Sequence, residues 1–344
     1  MNRKIAGIFL IGLLGFAYQV IKPPPARTCG ALGGPPVTAS RIKLRDGRHL
    51  AYKEYGVPRE VAKNKIVFLH GFGSGRHDTV IATNLPQGLL EEVGGYIVSF
   101  DRPGYGESDP DPNRTVKSLA LDIEELADKL ELGSKFYVIG FSMGGQAVWG
   151  CLKFIPHRLA GATMITPVVN YWWPNLPSNM STKAFYEQPT RDQWAVRVAH
   201  YIPSLTYWWF TQKWFPSSSA VQRNPVIFSN QDLSIISKFL INRKHQSEVQ
   251  QQGEAESICR DAIVGFGSWG FDPFDIDNPF PDNKSQVHVW QGDDDRLIPI
   301  TLQRYIAQNI PWVQYHEVPG AGHLFPYFEQ LSAAIIKTQL EDSK

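Results

Sequence analysis

The run Phe136-Tyr-Val-Ile139 passes straight into Gly140-Phe-Ser-Met-Gly144, and this junction constrains the fold more than any other stretch of the chain. A short apolar run suits a buried strand; it is followed by G-x-S-x-G, and a helical stretch begins beyond. A side chain at the tip of a sharp strand-to-helix turn has strained backbone angles, and its flanks need small residues to avoid clashes. Glycines 140 and 144 meet that need. Gly145 extends the small-residue run where the helix must pack closely.

The rest of the pattern agrees with a sheet built around that strand. Ile66-Val-Phe-Leu69, Tyr96-Ile-Val-Ser-Phe100 and Ala160-Gly-Ala-Thr-Met-Ile165 are short apolar runs, as is Val287-His-Val-Trp290, with Val313-Gln-Tyr-His-Glu317 a further strand. Runs that are apolar throughout are strands buried on both faces, which is the mark of a parallel sheet flanked by helices. Val116–Leu132 has apolar residues at helical spacing with Gly133 beyond its end, and further helices are expected over 302–308 and 328–340. Before them, Arg41 to Tyr55 alternates around Asp46-Gly47 and reads as an opening hairpin.

Between about 166 and 283 the β-α alternation stops. This part is rich in aromatics, Pro and Ser, and its first half holds Trp172, Trp173, Trp194, Trp208, Trp209 and Trp214 of the chain's 10 tryptophans. The organisation predicted is therefore 40–165 and 284–344 as one α/β domain, interrupted by a helical insertion over 166–283. In the insertion, Tyr171-Trp-Trp-Pro174 and Tyr207-Trp-Trp-Phe210 could pack a small helical layer, line an apolar pocket or face a membrane surface. Residue types alone leave these three open.

The N-terminus has its own character. Asn2-Arg-Lys4 precedes the almost wholly apolar Ile5–Ile21, and Lys22-Pro-Pro-Pro25 follows. That is the layout of a signal peptide or a short signal anchor over 1–22, with cleavage after Ala17 one option. Residues 23–39 read as a Pro/Gly-rich linker. The expected location is the secretory pathway, membrane-anchored or secreted. Asn113, Asn179 and Asn283 lie in glycosylation sequons, which matter only in a secretory lumen.

Charge excludes one class of partner. Against 34 basic residues stand 33 acidic ones, a net charge of +1, so nothing global suggests nucleic acid. Three cysteines, Cys29, Cys151 and Cys259, form neither a disulfide framework nor a zinc spacing. No phosphate-binding Gly-rich loop and no metal-spaced histidine cluster is visible in the sequence, so no cofactor is implied.

The chemistry-bearing residues follow the strands. A serine hydroxyl is a poor nucleophile at neutral pH and needs a base within hydrogen-bond reach. His323, in Gly320-Ala-Gly-His-Leu324, follows the last strand on a Gly-flanked loop, where a base coming last in the order Ser…Asp…His belongs. An acid is expected after the strand before it, and Gly292-Asp-Asp-Asp-Arg-Leu-Ile-Pro299 supplies Asp293, Asp294 and Asp295.

Together these pieces resemble the α/β-hydrolase superfamily over 40–165 and 284–344. The motifs are His70-Gly-Phe-Gly-Ser-Gly75, Asp101-Arg-Pro-Gly-Tyr-Gly-Glu-Ser108, Gly140-Phe-Ser-Met-Gly144, Gly292–Pro299 and Gly322-His323, and their wording is similar to plant members. The resemblance implies an α/β-hydrolase fold, a mostly parallel sheet flanked by helices, with the insertion in the position of a cap. It implies Ser142 as nucleophile, His323 as base and Asp295, rather than its two neighbours, as the acid. It assigns the oxyanion hole to the backbone N–H groups of Phe72 and Met143, makes His70 a loop-holding residue and makes Asp101–Ser108 a turn near the pocket. The activity implied is hydrolysis of a carboxylic ester through an acyl-serine, and the apolar residues of the insertion point to a hydrophobic one. Acyl transfer by the same serine, or a hormone-type receptor on the same fold, are the alternatives.

Overall fold

The computed structural model describes residues 18–222, 224–242, 245–282 and 285–341, with positions 7, 12–13 and 15–16 before them. Eight strands form a single sheet: β1 (Ser40–Lys43), β2 (His49–Gly56), β3 (Asn64–Leu69), β4 (Gly95–Phe100), β5 (Phe136–Phe141), β6 (Leu159–Ile165), β7 (Val287–Gly292) and β8 (Val313–Val318). Their order is β1-β2-β4-β3-β5-β6-β7-β8. The β1–β2 hairpin and the β2–β4 pair are antiparallel; every pairing from β4 to β8 is parallel.

The apolar runs have a direct structural cause. On β3, Val67 and Leu69 enter a core on one face of the sheet, and Ile66 and Phe68 enter a second core on the other. Successive strand residues point to opposite faces, so a strand covered on both sides must be apolar at every position. The first face is covered by α1 (Val116–Lys129), α2 (Met143–Phe154) and, further along the chain, a helix over Ile300–Asn309, through Ile123, Val148 and Leu302 among others. The second is covered by Val80 and Ile81 and by the closing helix Glu329–Glu341, through Ile335 and Ile336. Helix α1 starts at a capping box in which Thr115 and Ser118 exchange side-chain-to-backbone hydrogen bonds. It ends three residues earlier than its periodicity suggests, because Glu131 takes a φ of 53° and Gly133 a φ of 94°.

Between β6 and β7 the described residues contain no strand. Helices α3 (Ser178–Glu187), α4 (Thr190–Tyr201), α5 (Thr206–Thr211), α6 (Asn230–Asn242) and α7 (Arg260–Phe266) occupy this stretch, with α8 (Ile300–Asn309) and α9 (Glu329–Glu341) following it. Its tryptophans divide by position. Trp173 is buried and packs edge-on against Trp269, whereas Trp194 and Trp214 are 49% and 80% exposed. All three cysteines are buried and free.

Eight of the 17 residues of the apolar N-terminal run Ile5–Ile21, Ala17 among them, lie outside the described residues, as does Asn283. Among the described residues no helix is long and apolar enough to cross a membrane. Asn113 and Asn179, the other two sequon residues, are exposed.

Candidate active site

Parallel strands in a doubly covered sheet leave their carboxyl ends open, and side chains on the loops there converge. Ser142 follows β5, the Asp293–Asp295 loop follows β7, and His323 follows β8. The fold brings residues 181 positions apart to within hydrogen-bond distance: His323 Nε2 lies 3.0 Å from Ser142 Oγ. On the other side of the ring, His323 Nδ1 lies 2.8 Å from Asp295 Oδ2.

Ser142 stands at φ 54° and ψ −117°, a conformation that L-residues rarely adopt. Three backbone bonds hold it there. Its N–H donates to Ile165 O at 2.8 Å, and its carbonyl accepts from Gly145 and Val168 at 2.9 and 3.2 Å. The glycines around it are a packing requirement. A Cβ on Gly140 would collide with the Gly144 carbonyl, one on Gly144 with the Leu69 carbonyl, and one on Gly145 with Pro167.

Asp295 is selected among its neighbours by its partners. Its Oδ2 also accepts from Gln291 Nε2 at 3.0 Å, and its Oδ1 accepts from the Leu297 and Ile298 N–H groups at 2.9 and 3.0 Å. Asp293 instead accepts from Gly320 N–H at 2.6 Å, and Asp294 points to solvent near Arg296. Gln291 was not marked by any sequence motif; its place, one residue before Gly292 at the end of β7, is the only local signal.

Burial alone would push the His323 pKa down. The charge of Asp295, its hydrogen bond, and the charge of Asp232 outweigh that and hold it above the usual histidine value. Buried next to a carboxylate, the ring can take a proton from Ser142 while its tautomer is held by the Nδ1–Asp295 bond. Phe72 and Met143 border the same cavity. Met143 opens α2, so its N–H has no carbonyl four residues back within the helix.

His70 sits elsewhere in the arrangement. Its Nε2 accepts from Arg102 N–H at 3.1 Å and its Nδ1 faces Gly71 O at 2.9 Å, and complete burial holds its pKa well below the ordinary value. It is a neutral ring tying the loop after β3 to the loop after β4. Asp101 binds the Arg76 backbone N–H, the Arg76 guanidinium and Glu107 N–H, so it is engaged in holding the turn. Arg102 reaches across to Asp261 on α7 and also donates to Gly71 O at 3.1 Å, next to Phe72.

The cavity beside Ser142 measures about 210 Å³ and is lined mainly by apolar groups, among them Val168, Phe185, Phe210, Phe228 and Leu297. Of the two aromatic clusters marked in the sequence, Tyr171 and Phe210 line it; the lining contains no tryptophan. Burial pushes the Tyr171 phenol up, so it stays neutral.

One grouping was invisible to sequence spacing. His77, His245 and Glu248 bring ligand-type atoms within 4.8 Å of one another, from loops 168 residues apart. Their two imidazoles stack nearly parallel, 3.9 Å apart, so their lone pairs run side by side and do not converge on one point. Lys53 Nζ is 3.4 Å from His77 Nδ1 and an Arg76 nitrogen 3.8 Å from Glu248. Two cations beside the group oppose a third.

A family model described as Alpha/beta hydrolase family matches residues 66–337. The chain belongs to the α/β-hydrolase family. The mouse protein ABHD14A is 26% identical to this hydrolase-family chain over 170 residues, covering 48% of the chain and 68% of the mouse protein, and the rat protein of the same name is 27% identical over 170 residues. Among solved structures, a thermophilic esterase from Thermogutta terrifontis superposes with a TM-score of 0.59 at 20% identity, covering 89% of this chain and all of that one. The enol-lactonase from Burkholderia xenovorans LB400 superposes with a TM-score of 0.57 at 16% identity, covering 88% of this α/β-hydrolase and 99% of that chain. At these identities the likeness is one of fold.

Proposed function

We propose that this chain is a serine hydrolase that cleaves small hydrophobic carboxylic esters. The observation that carries the reading is the continuous hydrogen-bonded series from Ser142 Oγ through His323 to Asp295, at 3.0 and 2.8 Å, on a strained turn at the floor of an apolar cavity.

In this reading His323 Nε2 takes the Ser142 proton as the hydroxyl oxygen attacks the ester carbonyl. The negative charge developing on the acyl oxygen is met by the N–H groups of Phe72 and Met143, donors fixed in place before the reaction. The imidazolium then passes its proton to the departing alkoxide, leaving an acyl-serine and the free alcohol. Water attacks the acyl group with His323 again as base, which releases the acid and restores the hydroxyl. Asp295 keeps Nδ1 protonated and faces the charge that forms on the ring. The apolar walls favour an uncharged acyl chain or ring over a polar one. Attachment to a membrane through Ile5–Ile21 belongs to the same proposal; carbonate extraction of a membrane fraction tests it, and release of the protein would count against a spanning segment.

A fluorophosphonate probe tests the reactive serine. The wild type is expected to label at Ser142 and Ser142→Ala to remain unlabelled. A panel of p-nitrophenyl esters of rising chain length then tests the reaction: steady multiple turnover supports the hydrolase reading, and labelling without turnover would overturn it.

A further inference from the structure

The loop that carries His323 is held from outside the sheet domain. Asp232 lies in the first turn of α6, within the insertion, and is completely buried. Its Oδ2 accepts from His323 N–H at 3.1 Å and its Oδ1 from Leu324 N–H at 2.7 Å. The preceding residue, Gln231, accepts from Gly322 N–H through its Oε1 at 2.8 Å. Three consecutive N–H groups of the histidine loop thus end on two adjacent side chains of one helix terminus. The approach is close enough that a Cβ on Gly322 would collide with the Ser229 hydroxyl and the Asp232 carboxylate, which gives the glycine of Gly322-His323 a physical reason.

Asp232 is itself oriented. Its Oδ2 also accepts from Ser229 N–H at 3.0 Å, while its own N–H donates to Ser229 Oγ at 3.1 Å, a reciprocal cap on α6. Four residues on the sequence scale, from Ser229 to Asp232, therefore serve as a helix cap and as a clamp on a loop 91 positions away.

We propose that Asp232 is a positioning residue for the reaction: the insertion supplies a second carboxylate that fixes the His323 loop. The inference rests on the reading of His323 as the base. Among the described residues, the charged groups that act on the imidazole are Asp295, from the loop after β7, and Asp232, from α6; Phe141 beside the ring is uncharged. Asp295 holds the side chain at Nδ1, whereas Asp232 holds the backbone of the same residue. A buried carboxylate stabilises the imidazolium that forms as Ser142 attacks, and because α6 belongs to the insertion, any displacement of that segment would remove charge and anchor together.

The test separates this inference from the reading beneath it. In Ser142→Ala protein, the His323 ring is titrated by NMR, assigned against His323→Gln, with and without Asp232→Asn. The midpoint is expected to fall by about one pH unit on losing the charge. In Ser142-containing protein, the rate of fluorophosphonate labelling against pH should show the same downward shift of its ascending limb, with a plateau about tenfold lower from the loosened loop. Asp232→Glu, which keeps the charge, should return the limb toward the wild-type midpoint. Asp293→Asn, which loosens the same loop at Gly320, should leave the midpoint in place. An unshifted midpoint in Asp232→Asn would overturn the proposal. So would loss of fold, by circular dichroism, in both Asp232 variants, since Asp232 would then be a structural clamp alone. Failure of wild-type labelling would instead count against His323 as the base, while the NMR titration would still report whether Asp232 acts on the ring.

Discussion

Asp261 on α7 and Arg102 on the turn after β4 meet in a bidentate ion pair, with oxygen-to-nitrogen separations of 2.7 and 2.8 Å and both side chains almost wholly buried. Arg114 adds a further bond to Asp261 at 2.6 Å, and Tyr105 donates its hydroxyl at 2.6 Å. One carboxylate thus bridges two guanidinium groups at the joint between the insertion and the sheet domain. Arg102 also holds the carbonyl of Gly71, so the joint bears on the loop that carries Phe72.

Removing that carboxylate's charge leaves two buried guanidinium groups without a counter-ion. Asp261→Asn is therefore expected to lower the unfolding free energy by about 3–5 kcal/mol. Urea denaturation followed by tryptophan fluorescence measures it; a loss under about 1 kcal/mol would show the joint to be solvated and unimportant.

The raised His323 pKa predicts the acid side of the pH profile. A protonated ring cannot accept the Ser142 proton, so kcat/KM for a p-nitrophenyl ester should rise with pH through a midpoint above the ordinary histidine value. The stability linkage has the opposite sense. Because the folded-state pKa lies above the unfolded one, the protonated ring contributes stability that is fully present below the unfolded value and is lost as pH rises through the folded one.

Asp295→Asn removes the carboxylate that holds the Nδ1 proton, so activity should fall by roughly 10⁴-fold. Its neighbour supplies the comparison: Asp293→Asn weakens one hydrogen bond to Gly320 and should cost only about 1 kcal/mol in stability. Equal losses of kcat in the two variants would remove the distinction between them.

Gly144→Ala tests the reason for the glycine spacing. The added methyl meets the Leu69 carbonyl on β3, which is backbone and cannot rotate away. The start of α2 must then shift, carrying the Met143 N–H with it, and kcat should fall by about 100-fold. Unchanged kcat with an unchanged melting temperature would show that the turn has room to spare.

Burial keeps the thiols inert. Cys29 is pushed up to about 11 by burial and by the charge of Glu107, and burial raises Cys151 and Cys259 further. Thiolate is the reacting species, so Ellman's reagent should find essentially none in native protein and three equivalents after denaturation in guanidinium. Rapid native reaction at any of them would place that thiol at the surface.

Strand identity was legible because a sheet covered on both faces imposes apolarity at every position, as Ile66 to Leu69 show by dividing between two cores. The order of the strands was not, since β3 lies between β4 and β5 through pairings that no local pattern records. The aromatic clusters of the insertion illustrate the same limit. Tyr171 and Phe210 turn toward the cavity while Trp214 faces solvent, and all are equally aromatic in sequence.

By itself the sequence determined the elements whose rules are local: the short apolar strands, the Gly-x-Ser-x-Gly turn with its steric demand for glycine, a helix starting at Val116, and Ser142, the Asp293–Asp295 run and His323 as candidates on loops that follow strands. Only the tertiary structure decided which distant groups meet. Asp232 reaches the His323 backbone across 91 positions, and Asp261 reaches Arg102 across 159. Asp261 stands in no motif, and the Ser-x-x-Asp cap that contains Asp232 marks a helix start and says nothing of the histidine loop. Each is defined by the burial and the donors around it, and those arise when the insertion packs onto the carboxyl ends of the strands.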